Sequence, residues 1–112
     1  MKLFNQLPEF ERELKQLSKK YRSLTYDIAD FEDIIKSSPT GFGNNFVIIH
    51  STPTLKIVKV RLACESLKNR NIRIIYAYHG DKFEFMYIEI YFKGEKVNED
   101  KARIKEYLSK II

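Results

Sequence analysis

KIVKVRLACESLKNRNIR, Lys56–Arg73, decides how this chain folds and what it holds. Its first half alternates, with Val58, Val60 and Leu62 on one side of an extended strand and Ile57, Lys59 and Arg61 on the other, because successive strand side chains point to opposite faces. The polar segment Cys64–Asn71 follows, and the extended pattern resumes at Ile72 and Arg73. Working outward, residues 1–36 hold seven Lys/Arg and seven Asp/Glu, and residues 81–112 again hold seven of each. Residues 37–80 hold Lys56, Lys59, Arg61, Lys68, Arg70 and Arg73 against Glu65 alone. The whole net charge of +5 therefore sits in one stretch. A balanced chain that carries its surplus in one place reads as built to hold a polyanion there.

Four runs rich in Val, Ile, Phe and Tyr predict strands: Phe46–His50, Leu55–Ala63, Ile72–His79 and Phe83–Phe92. His79-Gly80-Asp81-Lys82 predicts a hairpin turn, which makes the last two strands antiparallel neighbours. Upstream the period changes. Pro8 suits the first turn of a helix, and Phe10, Leu14, Leu17 and Tyr21 then recur on one helical stripe. Ser23 reads as the N-cap of a second helix with the stripe Leu24, Ile28, Phe31 and Ile35. Leu3–Leu7 predicts a short edge strand before Pro8. After Lys93-Gly94, either Asn98 or Asp100 caps a last helix carrying Ala102, Ile104, Tyr107 and Leu108. The expectation is one α+β domain over residues 1–112: a two-helix hairpin packed on a twisted antiparallel sheet, with a short C-terminal helix.

With 112 residues and 44% hydrophobic content, such a domain has enough core to fold without staples. The single Cys64 excludes an internal disulfide, and two histidines without cysteine partners predict no metal site. No apolar run approaches the ~20 residues that span a bilayer, and Met1–Phe4 meets Pro8 and charge too soon for a signal peptide. The expectation is a cytoplasmic protein with no membrane partner. A pI near 9.3 ranks nucleic acid first among its ligands.

Strand alternation places Val58, Val60, Leu62, Ile72, Ile74, Tyr76, Tyr78, Met86, Ile88, Ile90 and Phe92 against the helices. The opposite face collects Lys59, Arg61, Arg73, Glu89, Tyr91 and Lys93 on adjacent strands, an open cationic and partly aromatic platform suited to RNA. Lys68-Asn69-Arg70-Asn71 either tracks a nucleic-acid backbone or is a solvated hairpin tip.

Lys59-Val60-Arg61-Leu62-Ala63, then Ile72-Arg73-Ile74-Ile75-Tyr76, then Glu89-Ile90-Tyr91-Phe92-Lys93-Gly94-Glu95-Lys96 resembles the RelE/ParE superfamily of type II toxins. The likeness runs from about Pro8 to Leu108, on short motifs. It implies a two-helix hairpin on a curved sheet, an endoribonuclease that cleaves mRNA on the ribosome, and a cognate antitoxin as partner. Lys59 and Arg61 match the family's basic pair, Arg73 the arginine of the next strand, and Lys93 and Lys96 the basic residues after the last. Asp100 stands where some members carry a tyrosine, and Gly94 where some carry a basic residue. The ParE branch, on the same fold, implies instead a non-catalytic module that binds DNA gyrase.

Cleavage by the 2′-hydroxyl needs a base, stabilisation of the phosphate and a proton for the leaving oxygen. Arg61 and Arg73 suit phosphate, since a guanidinium grips two oxygens at once. Lys59 serves as base if neighbouring cations lower its pKa; Glu89 and His79 are rivals, and Tyr91 or Lys93 donates the proton. Lys56, Lys68, Arg70 and Lys96 extend the RNA contact, and neither metal nor cofactor is required. The plainer expectation pairs Arg61 and Arg73 with Glu89, leaves Lys59 solvated, packs Tyr91 and assigns His79 to the turn.

Overall fold

The computed structural model describes residues 2–111. The four strand-forming runs become β2 (Phe46–Ser51), β3 (Leu55–Cys64), β4 (Asn69–His79) and β5 (Glu84–Phe92), each antiparallel to the next. Strand β1 (Phe4–Gln6) joins the free side of β5 in parallel, giving the order β1-β5-β4-β3-β2. The sheet is therefore mixed rather than wholly antiparallel. A parallel neighbour needs a crossover connection, and the whole of helices α1 (Pro8–Lys20) and α2 (Leu24–Ser37) lies between β1 and β2 in the chain. Helix α3 (Lys101–Lys110) closes the order. Among the described residues no helix is long and apolar enough to cross a membrane.

Helices α1 and α2 cover one face, and they touch the sheet more than each other: α1 lies on β5 and α2 on β3. Their predicted stripes point inward, with Phe10, Leu24, Ile28, Phe31 and Ile35 buried among Val58, Val60, Leu62, Ile72, Ile74 and Tyr76. Aromatic rings fill the span, Phe4 on Phe85 at 4.9 Å and Phe10 on Tyr87 at 4.8 Å between centroids, in the offset geometry such pairs favour. Two phenols buried under this layer are satisfied, Tyr76 donating to the Pro39 carbonyl and Tyr87 to Glu32. Ser23 is the N-cap residue of α2, but its side chain makes no capping bond to a helix amide. Its hydroxyl donates to Asp27 and accepts from the Ser66 amide, while the Ser66 hydroxyl accepts from the Ser23 amide. This exchange ties the β3–β4 turn to the link between the helices.

Strand β5 departs from simple alternation. Ile75 pairs with Glu89 and Tyr76 with Tyr87, so Ile88 is an extra residue on β5. A bulge puts two residues opposite one and reverses the facing of all that precede it. Phe85 and Tyr87 consequently join Ile90 under the α1–α2 layer, whereas Ile88, with Met86 packed beside it, belongs to the opposite face. The sequence expectation, which put Met86 and Ile88 under the hairpin and Phe85 and Tyr87 outside, is thus reversed upstream of the bulge.

Nor is the opposite face open along its length. Ile104 and Tyr107 of α3 seal Leu55, Ile57, Ile75, Ala77 and Ile88 into a second core. Asp100 caps α3 by accepting from the Arg103 amide at 3.0 Å. Arg103 forms a two-pronged bond to Glu13 of α1, at 2.9 and 2.8 Å, and also donates to the Ile88 carbonyl. The Ile90 amide donates to the same Glu13. Glu13 and Arg103 together satisfy the edge of β5 beyond the three residues of β1, an edge that would otherwise be open to pairing.

Candidate nucleic-acid interface

Beyond the reach of α3, the second face presents one row of side chains on three neighbouring strands. Arg61 of β3 pairs directly with Arg73 of β4, and Arg73 directly with Tyr91 of β5. The next row is Lys59, Ile75 and Glu89. Paired strands lie about 4.8 Å apart and same-face residues about 7 Å apart along a strand, so the two rows are close neighbours on one face.

Arg61 is exposed, whereas Arg73 is only 5% exposed. Arg73 donates to the Arg70 carbonyl, and Arg70 donates to the Arg61 carbonyl at 3.1 Å. Burial, and the charge of Arg61 beside it, lower the Arg73 guanidinium from its ordinary value. Among the described residues neither Arg61 nor Arg73 has a carboxylate within ion-pair distance. The expected pairing with Glu89 is not made. Glu89 has no exposed surface and is consumed by Lys96 and by the Asp100 amide. Like charges directly opposite on paired strands oppose folding by up to ~1 kcal/mol, and an anion between them relieves that.

Lys59 donates to Glu99 at 2.8 Å, their side chains 25% and 13% exposed. Burial opposes the Lys59 charge, but the bond to Glu99 and the neighbouring Tyr91 and Glu99 outweigh it, so its pKa is raised. The same bond holds the Glu99 carboxyl below its ordinary range. The sequence reading gave Lys59 a lowered pKa on the supposition of cationic neighbours; its nearest charge is instead a carboxylate, and the shift has the opposite sign. Tyr91 is 5% exposed, and its hydroxyl is buried without a hydrogen-bond partner. Burial raises its pKa, with the Lys59 charge pulling the other way.

The remaining sequence candidates divide. Lys93 is exposed just past β5, and its amide donates to the Asn71 carbonyl two residues from Arg73, so it borders the row. Lys68, at φ 55°, stands exposed at the β3–β4 turn, which the Ser23–Ser66 exchange anchors. Lys96 is bonded to Glu89 with its ammonium 5.6 Å from the centre of the Tyr91 ring, and so acts within the structure. Lys56 lies at the far end of β3, bonded to the Thr52 carbonyl at 2.6 Å, away from the arginines. His79 bonds Tyr107 and sits six residues from Arg73 along β4, roughly 20 Å at strand rise. Gly94 is explained by space, because a Cβ there would stand 2.5 Å from the Phe92 ring.

Sequence reasoning missed Glu99 altogether. It lies in a charge-balanced segment, and nothing in its local pattern distinguishes it from Glu95 or Asp100. Arg61 and Arg70 also rim a groove of about 330 Å³ that Phe31, Ile34, Phe42 and Phe46 line, with Asp27 and Asp30 of α2 in the same lining. Among the described residues no three or more His, Cys, Asp or Glu side chains gather as a metal site requires.

What the fold and the site define is an α+β domain with an unneutralised arginine pair on a half-covered sheet. No protein-family model matches the chain, and comparison with curated proteins finds no match.

Proposed function

We propose that this chain is the toxin component of a type II toxin–antitoxin pair of the RelE/ParE kind, a metal-independent endoribonuclease that cleaves mRNA on the translating ribosome. The supporting observation is the direct pairing of Arg61 with Arg73 on neighbouring strands, with no carboxylate within ion-pair distance of either among the described residues. Such a pair grips the non-bridging oxygens of a phosphodiester and stabilises the added charge of its transition state. Attack by the neighbouring 2′-hydroxyl supplies the nucleophile from the RNA itself, so the protein has only charge to stabilise and protons to move. Exposed Phe42, beside Arg61 and Arg70, offers a ring on which a base stacks. The inhibitory partner is a cognate antitoxin whose acidic segment covers the same cationic row.

The test is induction of the wild type and of Arg73→Ala in cells, with protein synthesis followed and mRNA 5′ ends mapped. Growth arrest with discrete new ends, both reduced about 10²–10³-fold in Arg73→Ala, is the expected result. Arrest with DNA damage and intact transcripts points to gyrase instead. Unchanged growth and transcripts leave a binding module that does not cut, and remove the nuclease reading.

A further inference from the structure

The Lys59–Glu99 pair stands on the row next to the arginines, and neither partner is sealed from solvent. Glu89, in the same row as Lys59, is unavailable: it is fully buried, and its oxygens are taken by Lys96 and the Asp100 amide. Glu99 is held by a single side-chain bond, from Lys59, whose strand also carries Arg61 two residues on. Resting on the ribonuclease reading above, we infer that Glu99 is the general base of the cleavage reaction and that Lys59 positions it.

The step balances within the RNA and the protein. The Glu99 carboxylate takes the 2′-hydroxyl proton, the O2′–P bond forms and the P–O5′ bond breaks. Arg61 and Arg73 hold the non-bridging oxygens throughout. Once Glu99 is neutral, the Lys59 ammonium turns from it to the same phosphate. The O5′ oxygen takes a proton from water, and the hydroxide left behind recovers the proton from Glu99. The products are a 2′,3′-cyclic phosphate and a 5′-hydroxyl. A different role for Glu99, as an acidic plug that occupies the cationic face until RNA displaces it, makes the opposite prediction. Removing a plug strengthens RNA binding and speeds cleavage, whereas removing a base slows cleavage without weakening binding.

Purified full-length protein is assayed on a fluorophore-labelled RNA oligonucleotide and on mRNA in translating ribosomes. Wild type, Glu99→Gln, Glu99→Asp, Glu99→Ala and Lys59→Met are compared, with thermal melts to confirm folding. The expected result is a kcat lowered at least ~10²-fold in Glu99→Gln with KM no higher, partial recovery in Glu99→Asp, and rescue of Glu99→Ala by added formate. In Lys59→Met the acid limb of the pH–rate profile moves to higher pH, because the bond that depresses the Glu99 carboxyl is gone. Wild-type cleavage with Glu99→Gln as fast or faster overturns the assignment of Glu99 and leaves the nuclease reading standing. Neither substrate cut by the wild type overturns both.

Discussion

The two halves of one sheet face, formed by the same three strands, have opposite chemistry. At the end toward the β4–β5 turn, Ile57, Ala77 and Ile88 lie sealed beneath Ile104 and Tyr107 of α3. At the other end Arg61, Arg73 and Tyr91 lie outside that core, Arg61 exposed and the other two nearly buried, and the Lys59–Ile75–Glu89 row marks the border. Length accounts for the division. A ten-residue helix is about 15 Å long, while the eleven residues of β4 extend about 36 Å. What α3 cannot cover must be satisfied by solvent, by the segment leading into α3, or by a ligand. That segment supplies Lys96 and the Asp100 amide to Glu89, and Glu99 to Lys59. It leaves the arginines alone. Apolar packing and surplus positive charge are thus separated along the strands, not between them.

Substitutions that respect this border sharpen the comparison, and the sealed half shows the largest effect. Ile75→Ala, at a side chain with no exposure, costs ~2–5 kcal/mol in urea unfolding; a loss below ~1 kcal/mol contradicts a well-packed second core. Next comes Glu89→Gln, which weakens the bonds that moor the segment before α3. It lowers stability by ~1.5–3 kcal/mol and speeds amide exchange around Asp100.

The Lys59–Glu99 pair contributes less, roughly 1 kcal/mol, since part of each side chain meets water. Its pH window follows from the two shifts. Glu99 is depressed below 4.5, so its share is present above that value and is lost as pH falls through the folded pKa. Lys59 is raised above 10.5, so its share is present below that value and is lost as pH rises through the folded pKa. The stability difference between wild type and Glu99→Gln should therefore be flat from pH 6 to 9 and shrink below about 4.5; a difference that grows in acid contradicts the pairing.

The smallest stability effect belongs to Arg61→Ala, within ~0.5 kcal/mol because the side chain is exposed and forms no ion pair among the described residues. Binding responds differently. The logarithmic salt dependence of RNA affinity should flatten by about one unit, the share of one phosphate contact. Equal slopes in the two proteins would remove Arg61 from the interface.

Much of this was legible in the chain. The β-branched and aromatic runs gave all four main strands to within a few residues, and the apolar stripes gave α1 and α2, because both periods are local properties of backbone geometry. Arg61 and Arg73 on one face followed from alternation alone, since both lie on strand segments free of bulges. Tertiary structure decided the rest. The extra residue at Ile88 reversed the facing of β5 because hydrogen-bond register, not composition, sets where a bulge falls. Whether α3 would cover the second face, and how much of it, depended on where the chain turned after Lys93. That same turn carried Glu99 across forty residues of sequence to Lys59. Periodicity assigns a side chain to a face; only the folded path of the backbone determines which charge it meets there.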